Sequence, residues 1–171
     1  MVNNSFSEDI FNFQEDLKIF VAWFMARNEH KWLTTQYDIT DSLIEVFERL
    51  SSQELRKLME KHNLRVLPRG VMSDKARFHR GSIIEISEHL TEDIDHLMAS
   101  AQLCREMGKI LVSQSRSQLS GVELEIAADR FAVNKGFGAE VEKLLLSEEE
   151  GMEKRLRLVY LTSLVISEEL T

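Results

Sequence analysis

A single proline, Pro68, interrupts this chain of 171 residues. Proline removes a backbone donor and clashes with the preceding helical turn, so its scarcity leaves long helices as the natural outcome. The apolar residues recur to match. Ile10, Phe13, Leu17, Phe20, Val21 and Phe24 follow one face of a helix predicted over about Phe6–Arg27, with Ser5 and Glu8 at capping-box spacing. A second helix, about Asp41–Leu50, carries Leu43, Ile44, Phe47 and Leu50. Ser51 and Glu54 repeat the capping-box pattern ahead of a short helix with Leu55, Leu58, Met59 and His62.

The pattern then changes. Asn63–Pro68 reads as a short strand, and Arg77–Ser87 as a strand or hairpin, with Gly81 at the turn and Ile84 and Ile86 on one face. Thr91 can cap a central helix over Glu92–Ser113 that is apolar on two faces, Ile94, Leu97, Met98, Ala101, Cys104, Gly108 and Leu111 on one, Leu103, Met107 and Ile110 on the other. Such a helix is expected to be buried on most sides, with Gly108 admitting a close backbone approach. Ser120 and Glu123 open a further helix ending near Gly136, Gly138 starts a short one through Leu146, and Ser147–Gly151 is an acidic loop. A last helix carries Leu156, Val159, Tyr160, Ser163 and Leu164. The expected fold is α+β and mostly helical: a small β-sheet or hairpin and a central buried helix, preceded by N-terminal helices. One domain over 1–171 is expected. Within it, residues 1–62 form an N-terminal helical region, residues 63–146 hold the sheet and central helix, and residues 152–171 form a C-terminal helix.

Charge bounds the partners. With 21 Lys and Arg against 29 Asp and Glu, the formal net charge is -8, and an acidic balance works against binding a nucleic-acid backbone. The most basic stretch, Arg69, Lys75, Arg77 and Arg80, reads as a solvated loop. No apolar run approaches the ~20 residues of a membrane span. The polar, acidic start, Met1–Asp9, is unlike a secretory signal. Cys104 is the one cysteine and lies among apolar residues, so a small core residue in a reducing compartment is expected. The expected location is the cytoplasm, of a cell or of an infected host.

Four pieces of the chain resemble one family when read together. Residues 78–90, Phe-His-Arg-Gly-Ser-Ile-Ile-Glu-Ile-Ser-Glu-His-Leu, look like the edge strand before a zincin active-site helix. Residues 105–111, Arg-Glu-Met-Gly-Lys-Ile-Leu, look like the motif His-Glu-x-Gly-His-x-Leu with both histidines exchanged. Residues 125–129, Glu-Ile-Ala-Ala-Asp, look like the Glu-x-x-Ala-Asp element of gluzincin peptidases, and residues 130–138 like the continuation of that helix. The segment over about 76–146 is similar to the small peptidases of tailed bacteriophages.

The resemblance implies a site whose chemistry is defined. Two histidines at i and i+4 hold a zinc ion, the glutamate after the first acts as general base, and a glutamate from another helix completes a His₂Glu set. Carried over, the general-base position is Glu106, the third-ligand position Glu125, and the position that orients a ligand Asp129. The histidine positions are Arg105 and Lys109. Arginine has no lone pair to give and lysine is a cation, so neither is a normal zinc ligand. The scaffold is expected to survive without its metal and without a cofactor. Two cations facing Glu125 and Asp129, each pair four residues apart, are expected to form salt bridges instead, with Glu106 at the edge.

Other candidates are weaker. His89, Asp93 and His96 follow at i, i+4 and i+7 and could hold a metal if a helix began at Ser87; with Thr91 as cap, His89 precedes the helix and the three form a hydrated face. His79 and His62 read as strand-surface and helix-end residues, and Trp23, Phe24 and Trp32 as core packing rather than a partner patch. The expected function is a non-catalytic, metallopeptidase-like protein acting through protein–protein binding, as a regulator, an inhibitor of a host factor or a structural component. The partner is another protein or a second copy, paired through the N-terminal helices. Two alternatives stand beside it: an active metal-dependent hydrolase with an altered site, and a small acidic helical regulator unrelated to peptidases.

Overall fold

The computed structural model describes residues 5–69, 83–87, 90–113, 119 and 121–169; within these, residues 5–12, 93, 113 and 165–169 are described by backbone alone. The fold is mostly helical with one small parallel sheet. Among the described residues no helix is long and apolar enough to cross a membrane. The chain forms two compact units, Met1–Leu90 and Thr91–Thr171.

The N-terminal unit opens with α1 (Ser5–Met25), a 3₁₀ helix (Asn28–Thr35) and α2 (Tyr37–Arg49). Phe20, Phe24 and Phe47 form its aromatic centre, with ring centroids 4.8 Å apart for Phe20–Phe47 and 5.2 Å for Phe24–Phe47. Helix α2 begins four residues ahead of the predicted Asp41, because Ile39 extends the buried series Leu43, Val46 and Phe47 by one turn. The Ser51–Glu54 capping box forms as expected: the Ser51 hydroxyl accepts from Glu54 N–H and the Glu54 carboxylate from Ser51 N–H at 2.7 Å. It opens α3 (Ser52–Arg56), which runs on into a π-helical turn, Lys57–Lys61.

Strands β1 (Arg65–Pro68) and β2 (Ile83–Ile86) pair in parallel, Arg65 opposite Ile83. Parallel neighbours need a crossover rather than a tight turn, so the two are not arms of one hairpin. Gly81, His79 and the basic residues Lys75, Arg77 and Arg80 lie outside the described residues. The sheet is tied to the N-terminal helices. Trp32 Nε1 donates to Val66 O at 3.2 Å, and Val66 N–H donates to His30 Nε2 at 3.0 Å. Phe24 is buried and Trp23 and Trp32 are half-buried. His62, expected at a helix end, is buried there.

The C-terminal unit holds α5 (His96–Ser113), α6 (Val122–Asn134), α7 (Gly138–Ser147) and α8 (Met152–Glu169), after a short α4 (Leu90–Asp93). The predicted helix from Glu92 is thus broken. Asp95, not Thr91, caps α5: its carboxylate accepts from Met98 N–H at 2.9 Å. Of the two expected faces of α5, one is buried at Leu103, Met107 and Ile110; the other is buried only at Ala101, Cys104 and Gly108, while Met98 and Leu111 are half-buried and Leu97 is exposed. Gly108 admits a side chain rather than a backbone, since a Cβ there would lie 2.8 Å from Phe131 Cδ1 of α6. Helix α6 ends where expected. Gly136, at φ 85°, lets Phe137 N–H reach Ala132 O and its own N–H reach Val133 O, a Schellman ending. Ser120 lies outside the described residues.

Candidate functional site: a buried ion-pair centre

Helices α5 and α6 bring four of the predicted residues together. Arg105 is on the buried side of α5 and Lys109 one turn further on; Glu125 and Asp129 stand one turn apart on α6. Arg105 Nε donates to Asp129 Oδ1 at 2.6 Å and its Nη2 to Glu125 Oε2 at 2.9 Å. Lys109 Nζ reaches the other Glu125 oxygen, Oε1, at 2.7 Å and Glu106 Oε1 at 2.8 Å. The expected salt bridges across the two helices are therefore present, and Glu106 lies at their edge, its side chain 36% exposed.

A third cation joins from α8. Arg157 Nε donates to Asp129 Oδ2 at 2.7 Å, its Nη2 to Asp129 Oδ1 at 3.0 Å, and its Nη1 to Glu148 at 2.9 Å. Asp129 and Arg157 are 2% and 3% exposed. The centre holds three cations, Arg105, Lys109 and Arg157, among four carboxylates, Glu106, Glu125, Asp129 and Glu148, and each carboxylate is in contact with at least one of the cations. Burial alone would lower the Lys109 pKa, but Glu106 and Glu125 outweigh it and hold the ammonium above its ordinary 10.5. In Arg157 burial is likewise outweighed, chiefly by the hydrogen bonds and charge of Asp129, and the guanidinium stays charged.

These residues do not fit a zinc ion. A guanidinium and an ammonium stand at the two histidine positions and already engage both oxygens of Glu125. Neither group donates a lone pair while charged. Glu106 is bound to Lys109 rather than poised to take a proton from water. The single helix that the alternative metal set presupposes does not form. Helix α4 stops at Asp93 and α5 begins at His96, so no single helix carries His89, Asp93 and His96 on one face. His89 and the Asp93 side chain lie outside the described residues, among which no cluster of His, Cys, Asp and Glu could hold a metal. A cleft of about 440 Å³ opens along α6 and α8, beside Ile126, Arg130, Phe131 and Tyr160, but none of the ion-paired residues lines it.

The sequence reading missed Arg157 and Glu148. Lys154, Arg157 and Leu161 form the buried face of α8, and two cations on that face carry no apolar signal by which periodicity could find them. No protein-family model matches the chain, and searches of curated proteins and of solved structures likewise return no match.

Proposed function

We propose that this chain is a non-catalytic protein, metallopeptidase-like in its motif pattern, that acts by binding another protein. The observation that carries the reading is the double engagement of Glu125. Its two oxygens accept from Arg105 and from Lys109, so the carboxylate that would ligate a metal is neutralised from within the fold. Asp129 is similarly held between two guanidiniums. An ion-paired centre fixes helices relative to one another; it offers no open coordination position and no free general base, which metal-assisted hydrolysis requires. A rigid helical frame of this kind is suited to presenting a surface.

Two measurements on purified protein test this. Zinc content after exposure to excess zinc and desalting is expected to be far below one ion per chain, and casein or a peptide library is expected to remain uncut. Stoichiometric zinc with cleavage that Glu106→Gln abolishes would overturn the proposal in favour of an active hydrolase.

A further inference from the structure

We propose that the outer face of α8 docks an amphipathic helix of another protein, one whose apolar stripe is flanked by basic residues; this rests on reading the chain as a binding protein. Large apolar side chains exposed among the described residues are Ile19, Tyr37, Leu97, Leu146, Met152, Leu156 and Val159, and four of these seven fall within residues 146–159. Met152, Leu156 and Val159 are 79%, 48% and 71% exposed and recur at i, i+4 and i+7, so they form one stripe along the first turns of α8. Clustered exposed apolar surface at helical spacing is the usual complement of a helix laid alongside.

The stripe cannot turn inward. The opposite face of α8 is held by Arg157, bound to Asp129 and Glu148, and by Lys154, whose ammonium donates to Leu146 O at 3.1 Å and Glu148 O at 2.8 Å. Rotating the helix to bury Leu156 and Val159 would pull these buried cations off their partners. The ion pairs that close the centre therefore also fix which face of α8 meets water.

Charge selects the occupant. Glu149, Glu150 and Glu153 are exposed in the same turns as the stripe; Glu150 is engaged by Lys154 Nζ at 3.0 Å and lies 3.8 Å from the exposed Arg155, which leaves Glu149 and Glu153 to set the sign of the rim. The rim is acidic on balance, within a chain of net charge -8. It favours lysine or arginine on a partner, disfavours an anionic membrane, and would meet its own charge in a second copy.

The test is a fluorescence-anisotropy titration of the full chain against a labelled amphipathic helical peptide of leucine and lysine, and against its leucine and glutamate counterpart. The lysine peptide is expected to bind saturably, and the glutamate peptide at least about tenfold more weakly. The exposed, charge-neutral double change Leu156→Gln with Val159→Gln should weaken the lysine peptide by about tenfold or more while leaving the circular dichroism spectrum unchanged. Glu149→Lys with Glu153→Lys should invert the preference between the peptides. No binding of either peptide, equal binding of both, or lysine-peptide binding that survives the Leu156 and Val159 changes would overturn the proposal. So would sedimentation showing a dimer that those changes dissolve, or flotation with phosphatidylserine vesicles that those changes abolish. Zinc content and hydrolysis measured on the same preparations judge the non-catalytic reading separately, so either can fail while the other stands.

Discussion

Asp129 is 2% exposed, with one oxygen accepting from both Arg105 and Arg157 and the other from Arg157. Asp129→Ala would leave two buried guanidiniums facing each other with only Glu125 and Glu148, one on each, as counter-charges, and breaking a buried pair in this way costs about 3–5 kcal/mol. Lys109, 23% exposed at its side chain, sits where water screens it, and Lys109→Met should cost about 0–1 kcal/mol. Urea-unfolding midpoints of the two variants are expected to fall in that order; equal midpoints would mean that the centre is solvated throughout. His30 makes a second residue-scale prediction. It is fully buried, its Nδ1 is 2.6 Å from Phe24 O and its Nε2 accepts from Val66 N–H, which fixes the neutral Nδ1–H tautomer. Burial holds its pKa below 6.5, with Phe24 O opposing. The unfolded chain therefore binds this proton more readily than the folded one, and stability is full above pH 6.5 and declines as pH falls through it. His62 acts in the same direction through burial. Unfolding measured at about pH 7.5 and about pH 5.5 should show the decline, and His30→Asn should flatten part of it; an unchanged slope in that variant would place the effect elsewhere.

At the scale of elements, the contact of α5 with α6 turns on Gly108. A Cβ there would stand 2.8 Å from Phe131 Cδ1 and 2.9 Å from Phe131 Cβ. Phe131 Cβ is tied to its own backbone, so rotating the ring cannot clear the clash and the helices must part. Gly108→Ala should destabilise by part of the ~1–3 kcal/mol typical of overpacking, reduced by the ~1 kcal/mol helix propensity that alanine gains. Gly108→Leu should reach the upper end. An unchanged melting temperature in both would show that α6 does not pack at this position. The same elements show where local pattern suffices. Ser51 with Glu54 and the glycine at 136 act within a few residues of themselves, so spacing alone locates them. The Arg105, Lys109, Glu125 and Asp129 pairing was expected by carrying over the positions that the family resemblance implies; the matching helical intervals of opposite charge agree with it but do not by themselves bring the two helices face to face. Asp95 was not legible, since Thr91 is an equally acceptable cap and only the packed structure chooses between them. Helix α8 misleads for a related reason. Its apolar residues Leu156 and Val159 face water and its Arg157 faces inward, an inversion that depends on Asp129 arriving from another helix. Hydrophobic periodicity has no term for such a partner.

On the scale of the whole molecule, the two units are built differently. The N-terminal unit is centred on phenylalanines and on the backbone of β1, joined through His30 and Trp32. The C-terminal unit joins a modest apolar core, including Leu103, Met107, Phe137, Val141 and Leu145, to the Asp129 ion pairs. Small domains bury a smaller share of their surface and are marginal for that reason, so independent stability is a real test of whether each centre is self-sufficient. In the C-terminal unit, among the described residues, every ion-pair partner of Arg105, Lys109 and Arg157 lies within residues 106–148. A fragment spanning residues 91–171 should therefore keep its charges paired when separated from the rest. It is expected to be helical by circular dichroism and to unfold in one cooperative transition. In the fragment Asp129→Ala should abolish that transition, because the fragment has less stability in reserve than the full chain. A fragment that is unfolded, or compact without a cooperative transition, would mean that its core is completed by the N-terminal unit and that the chain folds as one domain.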